Sequence, residues 1–132
     1  MYSLLIHSDA RADLEEIWKK APHAAARIVA VLEEIQSDQE LLDALTDQDF
    51  GAYGLKEFHV SKISKFWHSG LDLWRFKIWD LEDLKLRYRI VYAYDAKRRR
   101  YYVLGILPRA TSYDSNDSRV QRILKAYEDL VA

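Results

Sequence analysis

The chain has 132 residues, 49% of them hydrophobic, and contains no cysteine. This length suits one domain with its own core, and the missing thiols exclude disulfides and thiolate metal sites. Lys and Arg number 20 against 21 Asp and Glu, a net charge of −1, and no apolar run approaches the roughly 20 residues of a membrane span. The apolar start is too short for a signal peptide, so we expect a cytoplasmic protein without membrane contact.

The small net charge hides an uneven distribution. Residues 1–55 contain 4 Lys or Arg and 11 Asp or Glu, whereas residues 56–132 contain 16 and 10. An acidic half and a basic half favour a polyanionic partner on one side of the domain. Chance segregation of acidic helices from a basic sheet explains the same count, and both explanations stay open.

The N-terminal part predicts a strand and two helices. Residues 1–7 alternate loosely and indicate a short strand. Ser8 or Asp9 is then placed to cap a helix over 10–20, and a proline starts a second helix over 22–36. The apolar stripe of the first helix consists of Leu14, Ile17 and Trp18.

The stretch 37–70 is less regular. Its acidic beginning predicts a short helix over 40–45, and after a glycine-marked turn residues 56–63 indicate an extra strand or an extended arm. His59 and His68 lie in this stretch and are candidates for acid–base chemistry. Isolated histidines without a ligand motif are more often structural.

Two basic strands are predicted in the middle of the chain. Period two places Arg75 and Lys77 of the strand 73–78 opposite its apolar residues. In the next strand, 86–94, Arg89 falls on the corresponding face. We therefore expect one face of the antiparallel sheet to pack in the core. The other face should carry basic side chains at the start of its strands.

A third strand over 100–107 and a final helix over 119–130 complete the pattern. Pro108 has no N–H to donate and should end the strand. The predicted fold is therefore α+β, with an N-terminal strand, a two-helix hairpin, an antiparallel β-meander and a C-terminal helix. Alternation gives the third strand two faces, one with Tyr102, Leu104 and Ile106 and the other with Tyr101, Val103, Gly105 and Leu107.

If the three strands are antiparallel neighbours, six basic or aromatic side chains converge on one concave surface. They are Arg75, Lys77, Arg87, Arg89, Arg109 and Tyr113. Four further cations occupy the turn between the second and third strands and are candidates for RNA contact, although such runs are usually only solvated. They are Lys97, Arg98, Arg99 and Arg100.

Three stretches, LWRFKI, LRYRIVYAYD and YYVLGILPRATSY, resemble in order the second to fourth strands of the RelE/ParE superfamily of bacterial type II toxins. The helical hairpin fits the same family in order and spacing. The resemblance covers most of a single domain over 1–132 and leaves 37–70 as an insertion. It implies a RelE/ParE-like fold and a cognate antitoxin protein as partner.

The resemblance implies one of two activities. RelE-like toxins are endoribonucleases that cleave messenger RNA on the ribosome without a metal or other cofactor, which stops translation, whereas ParE-like toxins inhibit DNA gyrase and are not nucleases. We favour the RelE-like activity. A family member without activity is a third alternative, because Arg75 replaces a usual lysine and Leu107-Pro108 replaces Gly-His or Gly-Lys.

The positions of four residues in the matched strands imply catalytic roles for them: Lys77, Arg89, Arg109 and Tyr113. Arg109 and Tyr113 match the R-x-x-x-Y pattern that follows the last strand in the family. RNA cleavage by attack of the 2′-hydroxyl needs a base and donors for the phosphate oxygens. Arg89 and Arg109 suit the donor role, because a guanidinium presents a fixed fork. Lys77 or Tyr113 suits the base if neighbouring positive charge lowers its pKa. Two alternatives stay open: Arg89 pairs with an acid, and Tyr113 packs against the last helix.

Overall fold

The computed structural model describes residues 1–111 and 113–131, and it confirms the predicted α+β class and order of elements. Among these residues no helix is long and apolar enough to cross a membrane. The elements in chain order are β1 (Ser3–Ile6), α1 (Ser8–Lys20), α2 (Pro22–Gln36), α3 (Gln39–Ala44), a 3₁₀ turn (Ala52–Gly54), β2 (Phe58–Lys62), α4 (Ser64–Trp67), β3 (Leu73–Ile78), α5 (Trp79–Asp83), β4 (Tyr88–Asp95), β5 (Arg100–Pro108) and α6 (Ser118–Leu130).

The five strands form one sheet in the order β1-β5-β4-β3-β2. The pairs β2–β3, β3–β4 and β4–β5 are antiparallel, whereas β1 lies parallel to β5 at the edge, with Ser3 opposite Arg100. The alternative left open for 56–63 is thereby resolved, because β2 is a true strand and lengthens the meander to four strands.

Two apolar clusters cover the two faces of the sheet. On the first face the helical hairpin packs Ile28 and its neighbours against Phe76 and Ile90. On the second face α6 packs Ile123 against the cluster that contains Val91. The predicted alternation of the first two strands is confirmed, because Arg75 and Lys77 lie on the second face and remain half-buried. The first cluster also includes Ile17, Leu32, Trp74, Ile78 and Tyr92.

The alternation predicted for the last strand is wrong beyond Leu104. Val91 lies opposite Gly105 while Tyr92 lies opposite Val103, so β5 has one extra residue at this point. Such a bulge exchanges the two faces of everything that follows it. Ile106 accordingly packs in the first cluster, and Leu107 joins Tyr102 and Leu104 in the second.

Two details of α1 also differ from the prediction. The helix begins at Ser8 and its cap is His7, whose Nδ1 accepts the Asp9 N–H at 3.1 Å. Helix caps usually accept this hydrogen bond with a side-chain oxygen, whereas here an imidazole nitrogen accepts it. Histidine is not among the preferred capping residues, so the sequence did not indicate this cap. Trp18 is 54% exposed, so the buried stripe of α1 is narrower than predicted and centres on Ile17.

Candidate cationic site on the open sheet face

A hollow of about 240 Å³ lies on the second face of the sheet, and three adjacent strands line it. The register places His59 opposite Lys77 and Ser61 opposite Arg75, so β2 and β3 contribute matched pairs. Arg89 of β4 completes the lining. We call this the cationic hollow, because three of its five side chains are Lys or Arg.

Arg75 is held on two sides. Its Nε donates to Ser61 Oγ at 3.3 Å, and its guanidinium carbon lies 5.4 Å from the ring centre of Tyr113. The Tyr113 ring in turn packs edge-on against Phe66, with 6.0 Å between ring centres. Tyr113 therefore packs against the second apolar cluster through Phe66 of α4, and its ring lies beside Arg75 of the cationic hollow.

Lys77 has the most perturbed charge of the site. Partial burial, together with the positive charges of Arg89, Arg109 and Arg75, lowers the pKa of its ammonium, while Glu82 opposes part of this effect. Its Nζ also lies 4.6 Å from the ring centre of Trp79. Lys77 therefore gives up a proton more readily than an unperturbed lysine.

Arg89 is paired with an acid. Its two terminal nitrogens donate to the two carboxylate oxygens of Glu82 at 3.1 and 3.3 Å, and one of them also donates to the Tyr88 carbonyl. The two side chains are only 11% and 15% exposed. Glu82 belongs to α5, the short helix that joins β3 to β4. The pairing fixes Arg89 and leaves less of its fork for a phosphate.

Arg87 and Arg109 lie beside the cationic hollow rather than in it. They line a neighbouring, more open hollow of about 560 Å³ together with Lys85 and Pro108. The Arg109 N–H donates to the Arg87 carbonyl at 2.9 Å, which continues the strand pairing past the proline. Arg109 is still close enough to lower the pKa of Lys77, so the two hollows form one electrostatic surface.

The four cations of the β4–β5 turn do not join this surface. Asp95 pairs with Arg100 at one end of the hairpin, whereas Tyr88 pairs with Pro108 at the other, beside Arg109. The turn cations are exposed, and Arg98 also donates to Asp95 at 2.8 Å, which lowers the pKa of that carboxyl. The run from Lys97 to Arg100 is thus a separate basic patch.

The stretch 37–70 supplies site residues that periodicity in the basic strands did not reveal. His59 Nε2 lies 3.1 Å from Asp49 Oδ1, and the His59 ring stacks on Trp79 with 5.6 Å between centres and 7° between planes. Trp79, the first residue of α5, is half-buried. The alternation of Phe58-His59-Val60-Ser61 was the signal available for β2. Asp49 had no such signal, because a loop determines its position.

His68, the other candidate histidine, is exposed just after α4 and does not line either hollow. Among residues 1–111 and 113–131, no group of three or more His, Asp or Glu side chains is placed to hold a metal ion. The described residues thus define an α+β domain with a cationic, aromatic-edged site on the open part of its sheet. Comparison of the chain with protein-family models, curated proteins and solved structures found no match.

Proposed function

We propose that this protein is the toxin of a type II toxin–antitoxin system and that it cleaves messenger RNA on the ribosome. The observation that supports this most directly is Lys77, a lysine of lowered pKa in a hollow that also contains Arg75 and Arg89. Arginines suit a phosphate and a readily deprotonated lysine suits proton transfer. The resemblance of the three strands to RelE-like toxins supports the same reaction.

The proposed reaction uses side chains of this face for phosphate binding and for proton transfer. The 2′-oxygen of one nucleotide attacks the adjacent phosphorus and loses its proton, and the bond from phosphorus to the 5′-oxygen breaks. The products are a 2′,3′-cyclic phosphate and a 5′-hydroxyl. Arg75 and Arg109 are the donors for the phosphate oxygens, which gain charge in the transition state. Lys77 transfers a proton in this step. The Tyr113 ring lies beside the Arg75 guanidinium and positions it.

The proposal is tested by adding the purified protein to a translation reaction with a defined messenger. New 5′ ends are mapped by primer extension, with and without ribosomes, and the ends are checked for a free 5′-hydroxyl. We expect cuts only with ribosomes and a loss of roughly 100-fold in rate for Arg75→Ala and for Arg109→Ala. Lys125→Ala, which removes an exposed cation from α6, should cleave like the wild type.

A second candidate, inhibition of DNA gyrase as in ParE-like toxins, is favoured by one observation. Glu82 occupies the fork of Arg89, which a phosphate clamp would need. Arrested growth with intact messenger and reduced gyrase supercoiling would support this candidate and contradict cleavage. Normal growth with intact messenger would indicate a family member without activity.

In either activity we propose a cognate antitoxin as partner. An antitoxin that supplies carboxylates to Arg75 and Arg109 would neutralise the site, because opposite charges meet at such interfaces.

A further inference from the structure

The stretch 37–70 contributes chemistry to the cationic hollow as well as a strand. β2 is the edge strand of the sheet, and its antiparallel register places His59 directly opposite Lys77. Directly opposite residues project from the same face with Cβ atoms about 5 Å apart. His59 is therefore a neighbour of the lysine that the proposed function uses for proton exchange.

The imidazole of His59 is held in one orientation. Its Nε2 lies 3.1 Å from Asp49 Oδ1, and Trp79 stacks on its ring. Trp79 is itself fixed, because its indole N–H donates to the Gly51 carbonyl at 2.8 Å. The His59 side chain is 20% exposed, so solvent and substrate still reach it.

The loop that contains Asp49 is fastened to β2. The Asp49 N–H donates to the Val60 carbonyl, and the Val60 N–H donates to the Phe50 carbonyl, both at 2.9 Å. These two bonds use the outer edge of β2 and set the carboxylate beside His59. The Asp49–His59 pair is thus part of the sheet edge, with a rigid backbone on both sides.

His59 and Lys77 together separate two hollows. One is the cationic hollow, which they share with Arg75 and Arg89. The other, of about 210 Å³, they share with Asp49, Trp79, Tyr53 and Ala52. A phosphate in the cationic hollow would thus lie beside both proton-exchanging groups.

We propose that His59 is a catalytic acid–base residue in the cleavage of an RNA phosphodiester bound in the cationic hollow, and that Asp49 is its positioning residue. The inference rests on the proposed function and names a second group for the same reaction. Imidazole suits the task, because it accepts and releases protons near neutral pH. In the proposed tautomer the Nε2–H group of His59 donates to Asp49 Oδ1, which leaves the lone pair on Nδ1.

The proposed cleavage step transfers two protons and replaces one bond to phosphorus by another. Nδ1 of His59 takes the proton of the 2′-hydroxyl as the bond from the 2′-oxygen to phosphorus forms. The bond from phosphorus to the 5′-oxygen breaks, and Lys77 Nζ gives that oxygen a proton. Solvent then removes the proton from His59 and returns one to Lys77. The lowered pKa of Lys77 makes its ammonium a stronger acid for the leaving group.

The test measures messenger cleavage by His59→Ala with and without added imidazole, beside His68→Ala as the matched control. We expect His59→Ala to lose roughly 100-fold or more in rate, with ribosome binding changed by less than about threefold. Added imidazole should restore at least roughly a tenth of the lost rate to His59→Ala and should not alter the control. Thermal unfolding of each variant checks that the fold is kept.

Asp49→Asn tests the positioning role and also serves if His59→Ala does not fold. The charged groups that face His59 are Asp49 from the loop, Lys77 and Arg75 from β3 and Arg89 from β4. Among the described residues lining the two hollows, Asp49 is the only acid. Its loss should lower kcat and leave KM nearly unchanged, because the imidazole loses the partner that orients it.

The outcomes separate this inference from the proposed function. Wild-type protein that cleaves while His59→Ala cleaves equally well overturns the role of His59 and leaves the proposed function standing. Loss of cleavage without rescue by imidazole also overturns it, since a merely structural histidine would behave in that way. An unchanged kcat for Asp49→Asn overturns the positioning role. Wild-type protein that does not cleave at all overturns both proposals.

Discussion

Lys77 is the residue at which charge and proton transfer can be separated. Lys77→Arg keeps the positive charge and the contact with Trp79, but arginine does not release its proton at any working pH. We expect the cleavage rate to fall roughly 100-fold or more while binding to ribosomes is nearly unchanged.

Single-turnover cleavage and a ribosome sedimentation assay measure the two effects. Lys125→Arg, at an exposed position of α6, is the control and should behave like the wild type. Cleavage retained by Lys77→Arg would mean that Lys77 acts through its charge alone.

The ion pair between Arg89 and Glu82 is expected to contribute to the stability of the fold. Glu82→Gln leaves a guanidinium that is only 11% exposed without its counter-charge. We expect the free energy of unfolding to fall by about 2 kcal/mol, between the values for exposed and for fully buried pairs. Urea unfolding at pH 7 measures the change.

The double variant Glu82→Gln with Arg89→Met is the matched control. It should be more stable than Glu82→Gln alone, because no unpaired charge is left in the partly buried site. Losses that simply add would show that the two side chains do not stabilise one another. Arg89→Ala also breaks this ion pair and leaves Glu82 without its partner. Its activity therefore has to be compared with its free energy of unfolding.

At the scale of elements, the bulge in β5 couples that strand to α6. A Cβ at Gly105 would lie 2.8 Å from Ile123 Cδ1 and 3.1 Å from Ile123 Cγ1. Gly105→Ala should therefore destabilise the protein by about 1–2 kcal/mol through overpacking. In an Ile123→Val background, which lacks Cδ1, the cost should fall by more than half.

Urea midpoints of the four proteins in this cycle give the coupling. The same cost in both backgrounds would show that the close approach to Ile123 does not explain the glycine. The bulge also bears on α1, because the Ile106 N–H just beyond it donates to Asp13 Oδ2 at 2.9 Å, and Asp13 accepts from Arg122 at 2.7 Å. One carboxylate thus joins α1, β5 and α6.

At the scale of the whole molecule, the sheet separates the helical hairpin from the cationic hollow. The acidic helical hairpin covers the first face of the sheet, and the cationic hollow opens on the second. Some acids of the first side lie close together. Glu34 of α2 shares a hydrogen bond with Glu57, and this bond, with some burial and the charge of Glu57, raises the pKa of Glu34.

A raised pKa in the folded state means that the pair stabilises the fold when protonated, and this contribution is lost as the pH rises through the folded value. Above its raised pKa the Glu34 carboxylate is ionised, and the negative charge of Glu57 repels it. Glu34→Gln should therefore raise the urea midpoint at pH 7, and the gain should disappear below about pH 4, where glutamate is protonated in both states. Glu33→Gln, on the same helix, is the control. A gain that persists at low pH would contradict this explanation.

Much of this arrangement could be predicted from the sequence. The helical stripes and the alternation in the two basic strands sufficed to place Arg75 and Lys77 on the face opposite the core. The bulge could not be predicted, since the face of Ile106 depends on a close approach between Gly105 and a helix that follows later in the chain. The Glu82–Arg89 and Asp49–His59 pairs each involve an acid in a short connecting helix or a loop, whose side-chain direction no strand period fixes.

The parallel pairing of β1 with β5 affects how the protein emerges during its synthesis. Ser3 finds its partner Arg100 only after almost a hundred further residues have been made, which takes on the order of ten seconds. The apolar stripe of the helical hairpin, with Ile28 and Leu32, has no sheet to cover it until β2, β3 and β4 have been made. We therefore expect the nascent chain to bind chaperones that recognise exposed apolar helices, and the cationic hollow cannot form until β4 has joined β3.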